Sequence, residues 1–231
     1  MAKEEIDARR TALLVMDLQN GIVGRFGNQA EALLTPLGRA IAAARDAGVG
    51  VIFVRVAFRE GAPEASARNR SFATLAEAGG FGTDDEATQI HPAIEPAAGE
   101  AVVVKKRVSA FTGSDLEVLL RSREIDTLIL TGIATSGVVL STLREAADRD
   151  YRLLVLSDCC RDGDPEVHRV LIEKVFPRQA EVLTVDALLS VAALLGGIAG
   201  ERTPTPTHAA DALVVAFCHA TAPALLRRLA G

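Results

Sequence analysis

Residues Thr127 to Leu156 read, in succession, TLIL, TGIATSG, VVLSTLREAADRDYR and LLVL. The two outer runs are short, apolar and β-rich. They are continuous rather than alternating, as expected of strands covered on both faces. Between them Val139, Leu143 and the Ala146–Ala147 pair recur at helical spacing. A small-residue turn joins the first run to this helix. The stretch is therefore one strand–helix–strand unit, whose strands run parallel through a right-handed crossover.

The same alternation extends outward. Ala12–Met16, Val51–Val56, Ala101–Val104 and Val182–Val185 read as further buried strands. Leu37, Ile41 and Ala44 mark the face of an earlier helix. Ser114-Asp-Leu-Glu117 has the capping-box pattern, and Asp164-Pro165 reads as an N-cap followed by a first-turn proline. The prediction is an α/β fold on a mostly parallel sheet of about six strands. Phe58 to Arg70 is polar and aperiodic, and is either a loop over a site or a plain solvated loop. Residues 1–200 form the expected domain. Residues 201–231 open on Thr-Pro-Thr-Pro-Thr, an extended linker, and Asp211 to Leu229 is predicted as a last helix broken near Pro223.

Composition narrows the function. The chain has 231 residues, 49% apolar and 24% charged, which is globular usage. Twenty-five basic and thirty acidic residues leave a net charge of −5, so neither nucleic acid nor an anionic membrane is an expected partner. The start, MAKEEIDARR, has no apolar signal core, and no apolar run reaches the length of a membrane span. Three cysteines, two of them adjacent, make no disulfide framework. The expectation is a cytoplasmic protein in a reducing compartment.

Three strand ends carry residues able to do chemistry. Asp17 directly follows the first strand, where partial burial raises a carboxyl pKa and suits proton transfer; a loop or cap carboxylate is the plainer reading. Lys105-Lys106-Arg107 ends the third strand. One lysine there can hold Asp17 ionised or bind a substrate anion, or the run is an ordinary basic surface. The turn Gly132-Ile-Ala134-Thr135-Ser136-Gly137-Val138 offers backbone N–H groups at a helix start, usable as an oxyanion hole.

The segments ALLVMDLQN, VIFVRVAF, VVVKKRVSAFTGSDLEVLL and DTLILTGIATSGVVLSTLREAADRDYRLLVLSDCC closely resemble the isochorismatase-like hydrolase superfamily, from about Arg10 to Ser190. The resemblance implies a Rossmann-like, three-layer α/β/α fold and a homo-oligomer, dimer or tetramer. In the cysteine-hydrolase branch it implies an Asp, a Lys and a nucleophilic Cys. The Asp matches Asp17. The Lys stands four positions before Ser-Ala-Phe, which selects Lys105. The Cys stands three positions after the Thr that matches Thr135, and that position holds Val138. Valine cannot attack a carbonyl, so the resemblance does not carry thiol-dependent amidase chemistry to this chain.

The Asp-x-His metal pair of related nicotinamidases has no match after the second strand, so no metal or other cofactor is implied. Isochorismatases, which have glycine at the nucleophile position, hydrolyse a vinyl ether with their Asp as general acid. Asp17 and Lys105 then serve as acid–base pair, and the Ala134 and Val138 amides as charge stabilisers. Gln19, Phe58, Phe111 and Thr135 are the expected substrate contacts. The reading is a hydrolase of a small anionic metabolite, with a retired enzyme acting as a binding or regulatory protein as the alternative; a purely structural or assembly role is the third reading. Cys159 and Cys160 are expected to be buried packing groups, and His168 a surface residue on a helix.

Overall fold

Leu13 and Val15 point to one side of their strand, and Ala12, Leu14 and Met16 to the other, yet all are buried. A strand apolar on both faces must sit in the middle of a sheet with helices above and below. A computed structural model describes residues 7–189 and shows this arrangement. The strands are β1 (Thr11–Met16), β2 (Gly50–Val56), β3 (Ala101–Lys105), β4 (Thr127–Ile133), β5 (Arg152–Arg161) and β6 (Glu181–Leu183). Their order is β3-β2-β1-β4-β5-β6, and every pairing is parallel. β1 is central, and the chain reverses direction of winding on either side of it. Clefts in such sheets open at the carboxyl ends of the strands flanking that reversal.

The helices are α1 (Asn20–Val23), α2 (Glu31–Asp46), α3 (Arg70–Ala78), α4 (Leu116–Ser122), α5 (Leu140–Ala147) and α6 (Pro165–Val170). Leu37, Ile41 and Ala44 of α2 pack with Leu13, Val15 and Phe53 on one face of the sheet. Leu116 and Leu120 of α4 and Leu143 and Ala146 of α5 pack with Leu14, Met16 and Val54 on the other. No helix among the described residues is long and apolar enough to cross a membrane.

Several local expectations change. Ser114 does not form a capping box: its hydroxyl accepts from the Leu116 N–H (3.2 Å) and donates to the Ala110 carbonyl (2.6 Å). Glu117 turns instead to Arg121 (2.7 Å) and Arg149 (3.1 Å), because two guanidinium groups attract it more strongly than one backbone N–H. Asp164 does cap α6, accepting from Glu166 and Val167 N–H groups ahead of Pro165. The expected strand Val182–Val185 ends at Leu183. Asp158 accepts the Val185 N–H (3.1 Å), and residues 185–189 are helical. The polar segment after β2 stays irregular until Asn69, whose side chain caps α3. The linker and tail beyond Gly200, with the helix expected over 211–229, lie outside the described residues.

One contact fixes how close β1 and β4 come. Met16 pairs with Gly132, whose φ is +140°, and a Cβ there would lie 2.2 Å from the Met16 carbonyl oxygen. Only glycine meets both demands. Gly132→Ala is expected to cost about 2–4 kcal/mol. Gly38→Ala, in open space within α2, is expected to be neutral or stabilising by up to about 1 kcal/mol. Urea unfolding of both variants checks the contrast.

Candidate active site

Asp17 follows β1 with φ at +58°, a left-handed conformation that costs an L-residue energy and turns its side chain at the sheet edge. Its N–H is held by the Val54 carbonyl at 2.8 Å. The residue is only 5% exposed. Oδ2 lies 2.9 Å from Lys105 Nζ, whereas Oδ1 is buried without a hydrogen-bond partner. Lys105 ends β3 and reaches past the end of β2, which lies between β3 and β1, to make this pair. Lys106, one residue on, points elsewhere, to the Ala57 carbonyl and Glu64.

Lys105 spends all three of its N–H donors: on Asp17, on the Arg107 carbonyl (3.0 Å) and on the Val108 carbonyl (2.9 Å). The expected second role of Lys105, binding a substrate anion, therefore requires breaking one of these bonds. Burial pushes the Asp17 pKa above the ordinary aspartate value, and the nearby lysine offsets only part of that rise.

The turn after β4 forms the facing wall. Thr135–Val139 make one π-helical turn, with the Gly137 and Val139 N–H groups closing on the Ala134 carbonyl (3.0 and 3.3 Å). The peptide bond between Ile133 and Ala134 is cis. Two contacts from the α6 region hold this turn. Thr135 Oγ1 meets His168 Nδ1 at 2.8 Å, and Asp162 accepts the Ser136 N–H at 2.7 Å. His168 is half-buried here rather than on the surface as expected. Burial lowers its pKa, Asp162 acts in the opposite direction and Arg161 adds to the lowering.

Between the two walls lies a cavity of about 540 Å³, lined by Asp17, Lys105, Ala134 and Val138 together. Phe26, Phe72, Leu75 and Phe81 give it an apolar side, and Arg25 and Arg161 give it charge. Four expected substrate contacts are not on its lining. Gln19 is fully buried, its amide clamped on Val56 N–H, Val56 carbonyl and Thr88 carbonyl. Phe58 stands behind the lining, against Phe72 and Phe81. Phe111 packs on Tyr151 under Arg149, on the α4–α5 face of the sheet. Thr135 is turned to His168. In each case a stronger partner inside the protein takes the group the sequence offered to a ligand.

The lining residues that sequence reading missed come from α1 and its continuation, from α3, and from the turn after β5. Phe72 and Leu75 were marked only by their spacing just beyond the polar loop, and Arg25 and Arg161 by nothing local.

Cys159 and Cys160 are buried in the two core faces and lie off the cavity lining. Burial pushes the Cys160 thiol up to about 12 and Cys159 higher still, so neither forms a thiolate near neutrality. Cys218 lies outside the described residues. Among the described residues no three His, Cys, Asp or Glu side chains are grouped to hold a metal ion.

Residues 11–187 match the model of the isochorismatase domain. The isochorismatase family protein YecD of Escherichia coli is 33% identical over 80% of this chain and 98% of its own. The ureidoacrylate amidohydrolase RutB of Stutzerimonas stutzeri is 32% identical over 69% of this chain and 73% of its own. A solved cysteine hydrolase from Pseudomonas syringae superposes with a TM-score of 0.73 over 82% of this chain and 97% of that one. At 24% identity it speaks for the fold alone.

The buried pair makes stability depend on pH. The folded Asp17 carboxyl holds its proton more tightly than the unfolded one, so stability falls as pH rises from the ordinary aspartate value through the folded one. Asp17→Asn is expected to remove that decline. Lys105→Met is expected to extend it to higher pH and to cost about 3–5 kcal/mol where Asp17 must ionise. Urea unfolding across pH reads both profiles; unchanged profiles would contradict the assignment.

Proposed function

The chain belongs to the isochorismatase family of hydrolases, and from that premise we propose that it cleaves a small metabolite by acid–base chemistry at Asp17, with no covalent intermediate on the chain. One observation carries this reading. A carboxyl group with a raised pKa and an unpartnered oxygen lines a cavity whose facing wall presents valine, not a nucleophile. Val138 stands where the resemblance puts the attacking cysteine, and its isopropyl group has no lone pair.

The reaction that suits this set is hydrolysis of a vinyl ether. Protonated Asp17 gives its proton to the vinyl carbon, and the ether oxygen stabilises the resulting cation. Water adds to that cation and returns a proton to the Asp17 carboxylate. The hemiketal then collapses to an alcohol and a carbonyl compound. Lys105 stabilises the carboxylate during the interval when Asp17 has lost its proton. The backbone N–H groups of Ala134 and Val138 are the donors we assign to substrate oxygen. An amide is a poorer match, because its carbonyl needs an attacking group that Val138 does not supply.

A binding protein built on the same cavity is the second reading, favoured by the apolar Val138 at the nucleophile position. One experiment separates the two. Purified protein is incubated with isochorismate, and products are resolved by chromatography. The expected result is turnover that drops about 100-fold or more in Asp17→Asn with folding retained. Ureidoacrylate, the substrate named for the RutB relatives, is expected to remain intact. Absence of isochorismate turnover would remove that substrate, and metabolite-dependent thermal stabilisation without turnover of the stabilising metabolite would favour the binding reading instead.

A further inference from the structure

We propose that Arg25 and Arg161 form the anion-recognition end of this cavity, and that it takes a small molecule with an apolar or ring-shaped body and a terminal oxyanion. The inference rests on the cavity being the functional site, and deepens that reading by naming the ligand class.

Charge and donor counting lead to it. The anion binder expected from sequence was Lys105, but its three donors are spent inside the protein. Arg25 lines the cavity and is exposed, and it makes no hydrogen bond or ion pair with any described residue. Arg161 gives one Nη2 donor to the neutral Gln29 amide oxygen at 2.5 Å, which leaves its charge without a carboxylate bonded to it. Asp162, also on the lining, is engaged by the Ser136 and Asp164 N–H groups.

The lining therefore carries three cations, Arg25, Arg161 and Lys105, against Asp17 and Asp162. This excess of positive charge sits in a chain whose net charge is −5. A guanidinium beside a low-dielectric wall attracts an anion more strongly than one in open water. Phe26, Phe72 and Phe81 supply that wall. A ring with a carboxylate or phosphate satisfies both halves of the cavity, and guanidinium groups bind either oxyanion through charge-assisted, often bidentate, hydrogen bonds.

The test is calorimetric binding to the full chain, using benzoate, phenyl phosphate and the neutral isostere benzamide. At least one of the two anions is expected to bind about tenfold or more tightly than benzamide, and the stronger of them identifies the oxyanion. Arg25→Gln and Arg161→Gln are each expected to weaken that anion about tenfold, with benzamide unchanged. Rising salt is expected to weaken the anion alone. Equal binding of anion and benzamide, no binding of either anion at millimolar concentration, or full anion affinity in Arg25→Gln would each overturn the proposal. Because Arg25 is exposed and makes no described contact, its variant tests the idea even if Arg161→Gln disturbs the end of β5. Turnover is not read, so failure of the acid-catalysis reading leaves these outcomes interpretable.

Discussion

Burying Asp17 beside Lys105 is the constraint on which the site is built. Taking two charges out of water costs several kcal/mol for each, and a single ion-pair contact does not repay that unless further bonds complete the set. Lys105 is completed by two backbone carbonyls of its own loop. Asp17 is not completed: one oxygen has no partner. Burial without a full set of partners raises the Asp17 pKa, because a neutral carboxyl costs far less to bury than a carboxylate. The same imbalance that weakens the pair as a structural element underlies the proposed role of Asp17 as a proton donor.

The fold supplies the geometry for this. β1 and β3 are two places apart in the sheet, so a long side chain is needed to bridge their ends, and lysine at the last position of β3 has the reach. Gly132 lets β4 approach β1 closely enough that the turn after β4 shares a cavity with Asp17. That turn is then tied to the start of α6 through His168 and Asp162. Each wall is therefore positioned by the sheet and fastened by polar contacts within the protein. The outcome is a frame in which the Asp17 carboxyl, an apolar wall and two arginines share one cavity.

Much of this was written in the sequence where local chemistry dictates it. Six continuous apolar runs mark the six strands of the parallel sheet, although the edge strands β3 and β6 are only partly buried. Asp164-Pro165 caps a helix because a carboxylate acceptor and a residue without N–H suit that position. Asp17 and the lysine pair were identifiable as charged residues at the ends of buried strands, and the family resemblance selected Lys105. The expected contacts that lie off the cavity lining share a different cause. Gln19, Phe58, Phe111 and Thr135 have the chemistry of ligand contacts, but partners distant in sequence, including Thr88, Phe81, Tyr151 and His168, claim them first. Arg25 and Arg161 were invisible for the reverse reason: only the assembled walls reveal that neither has an acidic partner bonded to it among the described residues. The Ser114–Glu117 box failed because Arg149 from beyond α5 competes for the glutamate, which a local pattern does not contain.

The central claim is that the folded protein keeps a proton on Asp17. Carbon-13 NMR of the side-chain carboxyl carbons, with Asp17→Asn to assign the Asp17 signal, reads that proton directly. The account predicts that the Asp17 carboxyl stays protonated to a pH clearly above the ordinary aspartate range and releases its proton last among the aspartates. An Asp17 signal that titrates at or below that range would mean that Lys105 outweighs burial, and that the site holds a fixed carboxylate rather than an acid.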